Sequence, residues 1–277
     1  MPIESGQLSE PIQLEWALKR LNWLVKRYGR GWIDCHRPHP AADLFHTNNQ
    51  LYQEAGMVLA FREVCEKLEL NHKHIGFELL DNPDFKIPGF FEPAAYRDGF
   101  TQTIQVSSKL AFFPLILTGV LAHKLCYAKL KRETELKARG HDHEGLTDLA
   151  TIFFGYGIST YRIADEELAE GGIGRVLNHR GRGYMSQPEV ASALAMICAL
   201  RGVARPKWTL REGKGFKSEF RPLVDFWFQA DGLALQFDEH DQIVVSKRGS
   251  RRYLELELRE AVRREQFEEA ARIQKEL

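Results

Sequence analysis

The chain of 277 residues has few cysteines, and none of them belongs to a CxxC pair. The four are Cys35, Cys65, Cys126 and Cys198. Zinc ribbons depend on paired cysteines, and small secreted scaffolds depend on several closely spaced ones. The sequence therefore favours neither a cysteine-bound zinc nor a disulfide framework, and it indicates a reducing compartment.

An excess of charge is also lacking, because Lys and Arg total 38 and Asp and Glu total 38. Proteins that bind nucleic acid along their surface carry a basic excess, so we do not expect that class of partner. A local basic cluster at residues 247–252 is interpreted as a solvated linker, although such a cluster can also contact nucleic acid.

Long apolar runs are absent as well. The longest, residues 110–122, is interrupted by Pro114, Thr118 and Gly119, and a membrane helix needs about 20 apolar residues. The first residues, MPIESGQLSEP, lack the basic start and apolar core of a signal peptide. We therefore expect no membrane association and a cytoplasmic location.

The sequence does contain an ordinary globular share of hydrophobic residues, 44%, in periodic segments. Apolar residues at helical spacing predict helices over residues 9–28, 48–69, 114–137, 143–154, 186–201 and 253–277. Alternation predicts strands over 101–106, 232–237 and 242–246, the last two as a hairpin. Residues 70–100 carry turn signals and look irregular. The predicted fold class is α+β, mainly helical, with a small sheet and a C-terminal amphipathic helix.

Four regions follow from this pattern. They are an N-terminal helical region (1–100), a core region (101–203), a mixed α/β region with the hairpin (204–252) and the C-terminal helix (253–277).

The core region contains the helix sequence GVLAHKLCYAKL at residues 119–130 and, after a polar loop, HEGLTDLATIFFGYGI at 143–158. With the preceding strand TQTIQV, this layout resembles a gluzincin zinc peptidase. In that family an HExxH helix places two His on one helix face to bind zinc, and its Glu acts as general base. Residues 183–202 also resemble the helix that follows the site in bacterial members, so the resemblance covers roughly residues 100–203.

The resemblance assigns a role to each of five residues. His123 matches the first zinc ligand, Glu144 the third ligand and Asp148 the carboxylate that orients a ligand histidine. Lys124 stands at the general-base position and Tyr127 at the second-ligand position. A charged lysine cannot accept a proton from water, and tyrosine is a poor zinc ligand. These five positions therefore predict a zincin-like domain with an overwritten HExxH motif, with no metal or other cofactor expected.

Loss of the metal would leave Glu144 and Asp148 as uncompensated buried charges. We expect the ammonium group of Lys124 to form an ion pair with one of them, and the hydroxyl of Tyr127 to donate to the other.

Simpler interpretations exist for the same residues. His123 can be a core histidine, and Asp148 an ordinary acid on a helix surface. His141 and His143 can supply metal ligands together with His123 and Glu144, which would describe an active, zinc-dependent hydrolase with a relocated site, or they can lie in a solvated loop. Two further histidine pairs are interpreted as surface residues: His36 with His39, and His72 with His74.

The C-terminal segment, LELELREAVRREQFEEAARIQKEL at residues 254–277, resembles the UVR motif, a short helical hairpin that pairs protein with protein. The matching residues are Leu258, Ala261, Val262, Gln266, Phe267, Glu268, Ala270, Ala271 and Ile273. Phe267 with the small pair Ala270 and Ala271 predicts a narrow apolar ridge for a partner helix. The alternative is a helix that packs on its own domain.

Together these patterns predict a catalytically inactive peptidase homologue that binds a protein or peptide. The alternatives are the active zinc-dependent metallohydrolase and a structural adaptor that acts through the UVR-like helix.

Overall fold

The structure is a computed structural model, which describes residues 11–34, 54–80, 91–92, 102–131, 133, 143–164, 185–230 and 232–277. In chain order, the α-helices of these residues are α1 (Pro11–Tyr28), α2 (Gly31–Asp34), α3 (Glu54–Lys67), α4 (Pro114–Lys131), α5 (His143–Thr151), α6 (Gly157–Ile163), α7 (Gln187–Leu200), α8 (Lys214–Trp227), α9 (Arg251–Arg263) and α10 (Phe267–Glu276). The strands are β1 (Ile75–Leu80), β2 (Phe91–Glu92), β3 (Gln102–Ser107), β4 (Leu233–Phe237) and β5 (Ile243–Lys247).

The predicted fold class is confirmed, because the described residues form a mainly helical α+β fold with small sheets. None of the helices in these ranges combines the length and the apolar character that a membrane crossing requires. The three described cysteines, Cys65, Cys126 and Cys198, are buried free thiols.

The chain divides into two compact units. The terminal unit comprises Met1–His36 and Ala191–Leu277, and the central unit comprises Arg37–Val190. The four regions read from the sequence stay a prediction about domain boundaries.

The central unit contains a three-stranded sheet in the order β1-β3-β2. Strand β3 confirms the strand predicted over residues 101–106, and it pairs in parallel with β1 from Ile75 opposite Gln102 to Leu80 opposite Ser107. The prediction that residues 70–100 are irregular was wrong at β1. Strand β1 pairs with a parallel partner that lies far along the chain. The local turn signals did not indicate this strand, because tertiary pairing stabilises it.

Helix α4 forms the core of the central unit and packs against α5 and α6. Its residues from Ile116 to Ala122 are buried all round, as the sequence predicted for its first half. The prediction that glycine ends the next helix is confirmed at Gly155, where the backbone leaves the helical conformation, but Gly157 begins a new helix and does not end one. Gly155 adopts a left-handed conformation with φ of 96° inside a π-helical segment, and the chain continues directly into α6. The buried side chains of Ile158 and Tyr161 extend the apolar face beyond this kink.

The terminal unit contains the predicted β-hairpin, in which β4 pairs antiparallel with β5. Asp238 shapes the turn, because its Oδ1 accepts hydrogen bonds from the backbone N–H groups of His240 (2.9 Å) and Gln242 (2.8 Å). In the central unit, the capping box at Ser186 and Glu189, which begins α7, is also confirmed: Glu189 accepts from the Ser186 N–H at 2.7 Å.

The C-terminal segment differs from the single helix predicted over residues 253–277. It forms a helical hairpin, α9 and α10, separated by a turn in which Glu265 has a φ of 59°. Ala261, Ala270 and Ile273 are buried together between the two helices. Burial of these residues explains why the chain folds back after Arg263, at a place where the sequence has no glycine or proline.

The close contact between α4 and α6 predicts a strong effect of Gly119→Ala. A Cβ atom at this position would lie 2.4 Å from Cδ1 of Ile163 and 2.9 Å from the backbone oxygen of Ser159. We expect the free energy of unfolding to fall by about 1–3 kcal/mol, since overpacked cores lose stability on this scale. Urea denaturation followed by far-UV circular dichroism measures the change.

Gly215→Ala is the matched control, because Gly215 lies in a helix with no atom within 4 Å of the added Cβ. Alanine should be neutral or stabilise by up to about 1 kcal/mol at such a position. An equal loss of stability in both variants would contradict the close packing of α4.

Candidate functional site

The candidate site lies where α4 and α5 pack against each other in the central unit. Helix α4 presents His123, and the first two turns of α5 present Glu144 and Asp148. The Nδ1 atom of His123 lies 2.8 Å from Oδ1 of Asp148, and its Nε2 lies 3.4 Å from Oε2 of Glu144. The structure therefore brings together three of the five residues that the overwritten motif singled out.

Asp148 is the anchor of this cluster. Its side chain is fully buried, and it uses both oxygens: Oδ1 faces His123, and Oδ2 accepts a hydrogen bond from the backbone N–H of Met185 at 2.9 Å. The interpretation of Asp148 as an acid on a helix surface was wrong. A carboxylate held at both oxygens fixes the orientation of the imidazole ring.

The ring of His123 faces a carboxylate at each nitrogen. Only the imidazolium form carries a proton on both nitrogens and can donate in both directions. Burial by itself would lower the pKa of His123, but the hydrogen bonds to Asp148 and Glu144 and the charge of Asp148 outweigh it and raise that pKa above its ordinary value. The side chain is 14% exposed, so a protonated His123 would be a mostly buried cation between two carboxylates.

Lys124 does not take the role that the sequence predicted for it. Within the described residues it makes no ion pair within 4.0 Å with Glu144 or Asp148, so that prediction was wrong. Burial lowers the pKa of Lys124, and the two carboxylates only partly offset this effect. The physical reason is position, since the ring of His123 already occupies the space between the carboxylates.

Tyr127 is half-buried and lies one turn after His123 on α4. Burial raises the pKa of its hydroxyl, and the charge of Glu144 raises it further. The phenol therefore holds its proton more tightly than an unperturbed tyrosine does, which makes it a poorer metal ligand. The donation of its hydroxyl to a carboxylate stays a prediction.

A catalytic zinc site needs three protein ligands at set distances from one another. Two ligands of one tetrahedral zinc lie roughly 3.3–3.5 Å apart, and the 3.4 Å between His123 Nε2 and Glu144 Oε2 falls in that range. A third ligand is missing, because Tyr127 and the Lys124 ammonium stand at the adjacent positions. In the part of the chain that the structure describes, no group of three or more His, Cys, Asp or Glu residues could hold a metal ion. These residues do not fit a zinc site.

The relocated ligand set cannot be placed. His141 lies outside the described residues, and so does the side chain of His143. The same holds for His36 and His39.

Sequence reasoning missed the contribution of Met185. Its backbone N–H reaches Asp148 across 37 residues, and a backbone donor leaves no residue-type signal. The nearest clue was the capping box at Ser186, which places the start of α7 directly after Met185.

The imidazolium pair predicts a characteristic dependence of stability on pH. A histidine with a raised folded pKa stabilises the protein fully below its unfolded pKa of about 6.5, and this contribution is lost as the pH rises through the folded pKa. We therefore expect His123→Gln to lower the free energy of unfolding by about 3 kcal/mol between about pH 5 and 6.5. The difference from the unmodified protein should shrink at alkaline pH, as urea titrations across pH would show.

His72→Gln in the same unit provides the control, because His72 lies near the surface. Its substitution should change the free energy of unfolding by less than about 0.5 kcal/mol, as is usual for surface positions. If His123→Gln lowers the free energy of unfolding by the same amount from acid to alkaline pH, an imidazolium at this position is ruled out.

Comparison of the chain with protein families, with curated proteins and with solved structures finds no match. The functional interpretation therefore depends on the residues of this site and on their geometry.

Proposed function

We propose that this chain is a catalytically inactive homologue of zinc peptidases that acts as a protein- or peptide-binding module in the cytoplasm. The observation that carries this proposal is the position of His123 between Glu144 and Asp148. Both ring nitrogens face carboxylates, and an imidazolium that donates to both has no lone pair for a metal.

The surroundings of the ring support the absence of catalysis. Metal-assisted hydrolysis needs a general base beside the metal-bound water. Lys124 holds the corresponding position in α4, and its ammonium would repel a divalent cation. Tyr127 offers a neutral phenol in place of the second imidazole. The peptidase scaffold would therefore keep the shape of the site without its chemistry.

The exposure of Glu144 supports a binding role. Its side chain is 37% exposed, whereas Asp148 is fully buried, so Glu144 lies at the solvent side of the cluster. A carboxylate at such a place can accept hydrogen bonds from the backbone or from a basic side chain of a peptide. The half-buried ring of Tyr127 lies on the neighbouring helix and adds apolar area.

Restoration of the HExxH motif tests the proposal. Lys124→Glu combined with Tyr127→His should bind stoichiometric zinc, measured by elemental analysis after dialysis, because the base and the second ligand return. The unmodified protein should bind none tightly. Adding His123→Ala to the double variant should abolish zinc binding. Stoichiometric zinc on the unmodified protein, with cleavage of peptides, would establish the active metallohydrolase instead.

The binding role is measured on the same samples with a pool of fluorescein-labelled random peptides. Fluorescence anisotropy should show saturable binding to the unmodified protein without cleavage, and Glu144→Gln should weaken it. Absence of saturable binding would refute the binding role and leave the loss of catalysis standing.

A second candidate function, the structural adaptor, is favoured by the C-terminal hairpin. Phe267 is 69% exposed and Val262 is 53% exposed, and they lie on either side of the turn between α9 and α10. Ala271 is exposed too. The prediction that Ala270 faces a partner is corrected, because Ala270 is buried against α9 of the same chain. The ridge for a partner is therefore formed by Phe267 and Ala271.

Phe267→Glu tests the adaptor, since a charge on this ridge should prevent close packing with another protein. Cross-linking and mass spectrometry of the tagged protein from cells should show loss of a partner. Leu210→Glu is the control, because Leu210 is an exposed apolar residue of the same unit, 77% exposed, outside the hairpin. Identical cross-linked partners for both variants and the unmodified protein would dismiss the adaptor.

A further inference from the structure

A cavity of about 330 Å³ lies within the terminal unit. Residues of β4, of α9 and of α10 line it, together with Phe228 and Arg248. Its volume is at the small end of the range of ligand pockets, roughly 300–1,000 Å³. The cavity belongs to a different unit from the His123 site, so its role is independent of the proposed function.

Arg248 is a positioned cation at this cavity. Its Nη1 donates to the hydroxyl of Tyr253 at 2.9 Å, and its Nη2 donates to the backbone oxygen of Trp227 at 2.6 Å. The guanidinium carbon lies 5.6 Å from the ring centre of Phe228 and 5.5 Å from that of Tyr253. An arginine has five N–H donors, so Arg248 retains several for another acceptor.

Glu257 is the matching anion. It accepts a hydrogen bond from the hydroxyl of Tyr253, which lies between it and Arg248. Burial and the neighbouring Glu257 raise the pKa of Tyr253, so the phenol stays neutral and separates the two charges. Within the described ranges, neither Arg248 nor Glu257 makes an ion pair within 4.0 Å.

The other charged groups of the cavity are already neutralised. Arg30 and Arg264 both form ion pairs with Glu260. Glu269 forms an ion pair with Arg272 at 2.6 Å. Arg248 and Glu257 are therefore the cation and the anion of this cavity that make no direct ion pair with a described residue.

We propose that this cavity binds a free α-amino acid with an apolar side chain. An α-amino acid carries a carboxylate and an ammonium group on one carbon, which matches a cation and an anion that flank a single hydroxyl. The carboxylate would accept from Arg248 and the ammonium group would donate to Glu257. The buried side chains of Leu235 and Leu256 provide an apolar wall for the ligand's side chain.

Titration calorimetry of the full chain with free L-amino acids at millimolar concentration tests this assignment. We expect saturable binding of at least one apolar amino acid. Its N-acetyl derivative and its amide should each bind at least about tenfold more weakly, because each lacks one charge that a charge-assisted hydrogen bond needs. No binding of any amino acid, or equal binding of the blocked derivatives, would overturn the proposal.

Arg248→Gln and Glu257→Gln should each weaken binding at least about tenfold, and both glutamines can still form hydrogen bonds with Tyr253. Arg252→Gln and Glu255→Gln are the matched controls, because both residues are exposed on α9. Thermal unfolding confirms that each variant is folded. The comparison of a free amino acid with its N-acetyl derivative and its amide tests the proposal on the unmodified protein. Unchanged affinity in folded Arg248→Gln and Glu257→Gln would overturn the assignment.

Discussion

The contact of one histidine with two carboxylates determines the character of the candidate site. Asp148 is fully buried, and a buried carboxylate without a positively charged partner would greatly lower the stability of the fold. His123 supplies the partner at 2.8 Å and also reaches Glu144. The backbone N–H of Met185 satisfies the other oxygen of Asp148. Helices α4 and α5 and the start of α7 are thereby tied to one carboxylate.

The negative charge of this site is balanced by a different group from the one that balances it in a zinc peptidase. In a zinc peptidase the metal would offset the negative charge of the ligands. Here a protonated His123 ring would offset it, and Lys124 makes no ion pair with either carboxylate within the described residues. A ring held at both nitrogens is a structural element of the helix pair, which is why binding at the exposed Glu144 is a better hypothesis than hydrolysis.

Much of the fold could be predicted from the sequence, because the helices and the β4–β5 hairpin carry local patterns. The meeting of His123 with Glu144 and Asp148 was predicted from the resemblance to the gluzincin layout, which places a ligand histidine of one helix against two carboxylates one turn apart on the next. The choice between His123 and Lys124 as the partner depends on the reach of side chains across two packed helices. That choice is tertiary and leaves no signal in spacing.

Two elements escaped prediction for the same kind of reason. Strand β1 depends on its parallel partner β3, whose residue Gln102 lies opposite Ile75. The turn between α9 and α10 places Glu265, a residue without glycine's freedom, in a left-handed conformation. Burial of Ala270 and Ile273 against Ala261 accompanies that turn. In both cases distant contacts stabilise a conformation that the local sequence does not favour.

The protonation state of the His123 ring is the property that decides whether an imidazolium holds the two carboxylates. Two-dimensional ¹H–¹⁵N NMR of the imidazole, at neutral pH and with zinc added, reports both ring nitrogens separately. We expect both nitrogens to be protonated and zinc to leave their chemical shifts unchanged. A neutral ring, or a shift of Nε2 to the value of a metal-bound nitrogen, would contradict this expectation.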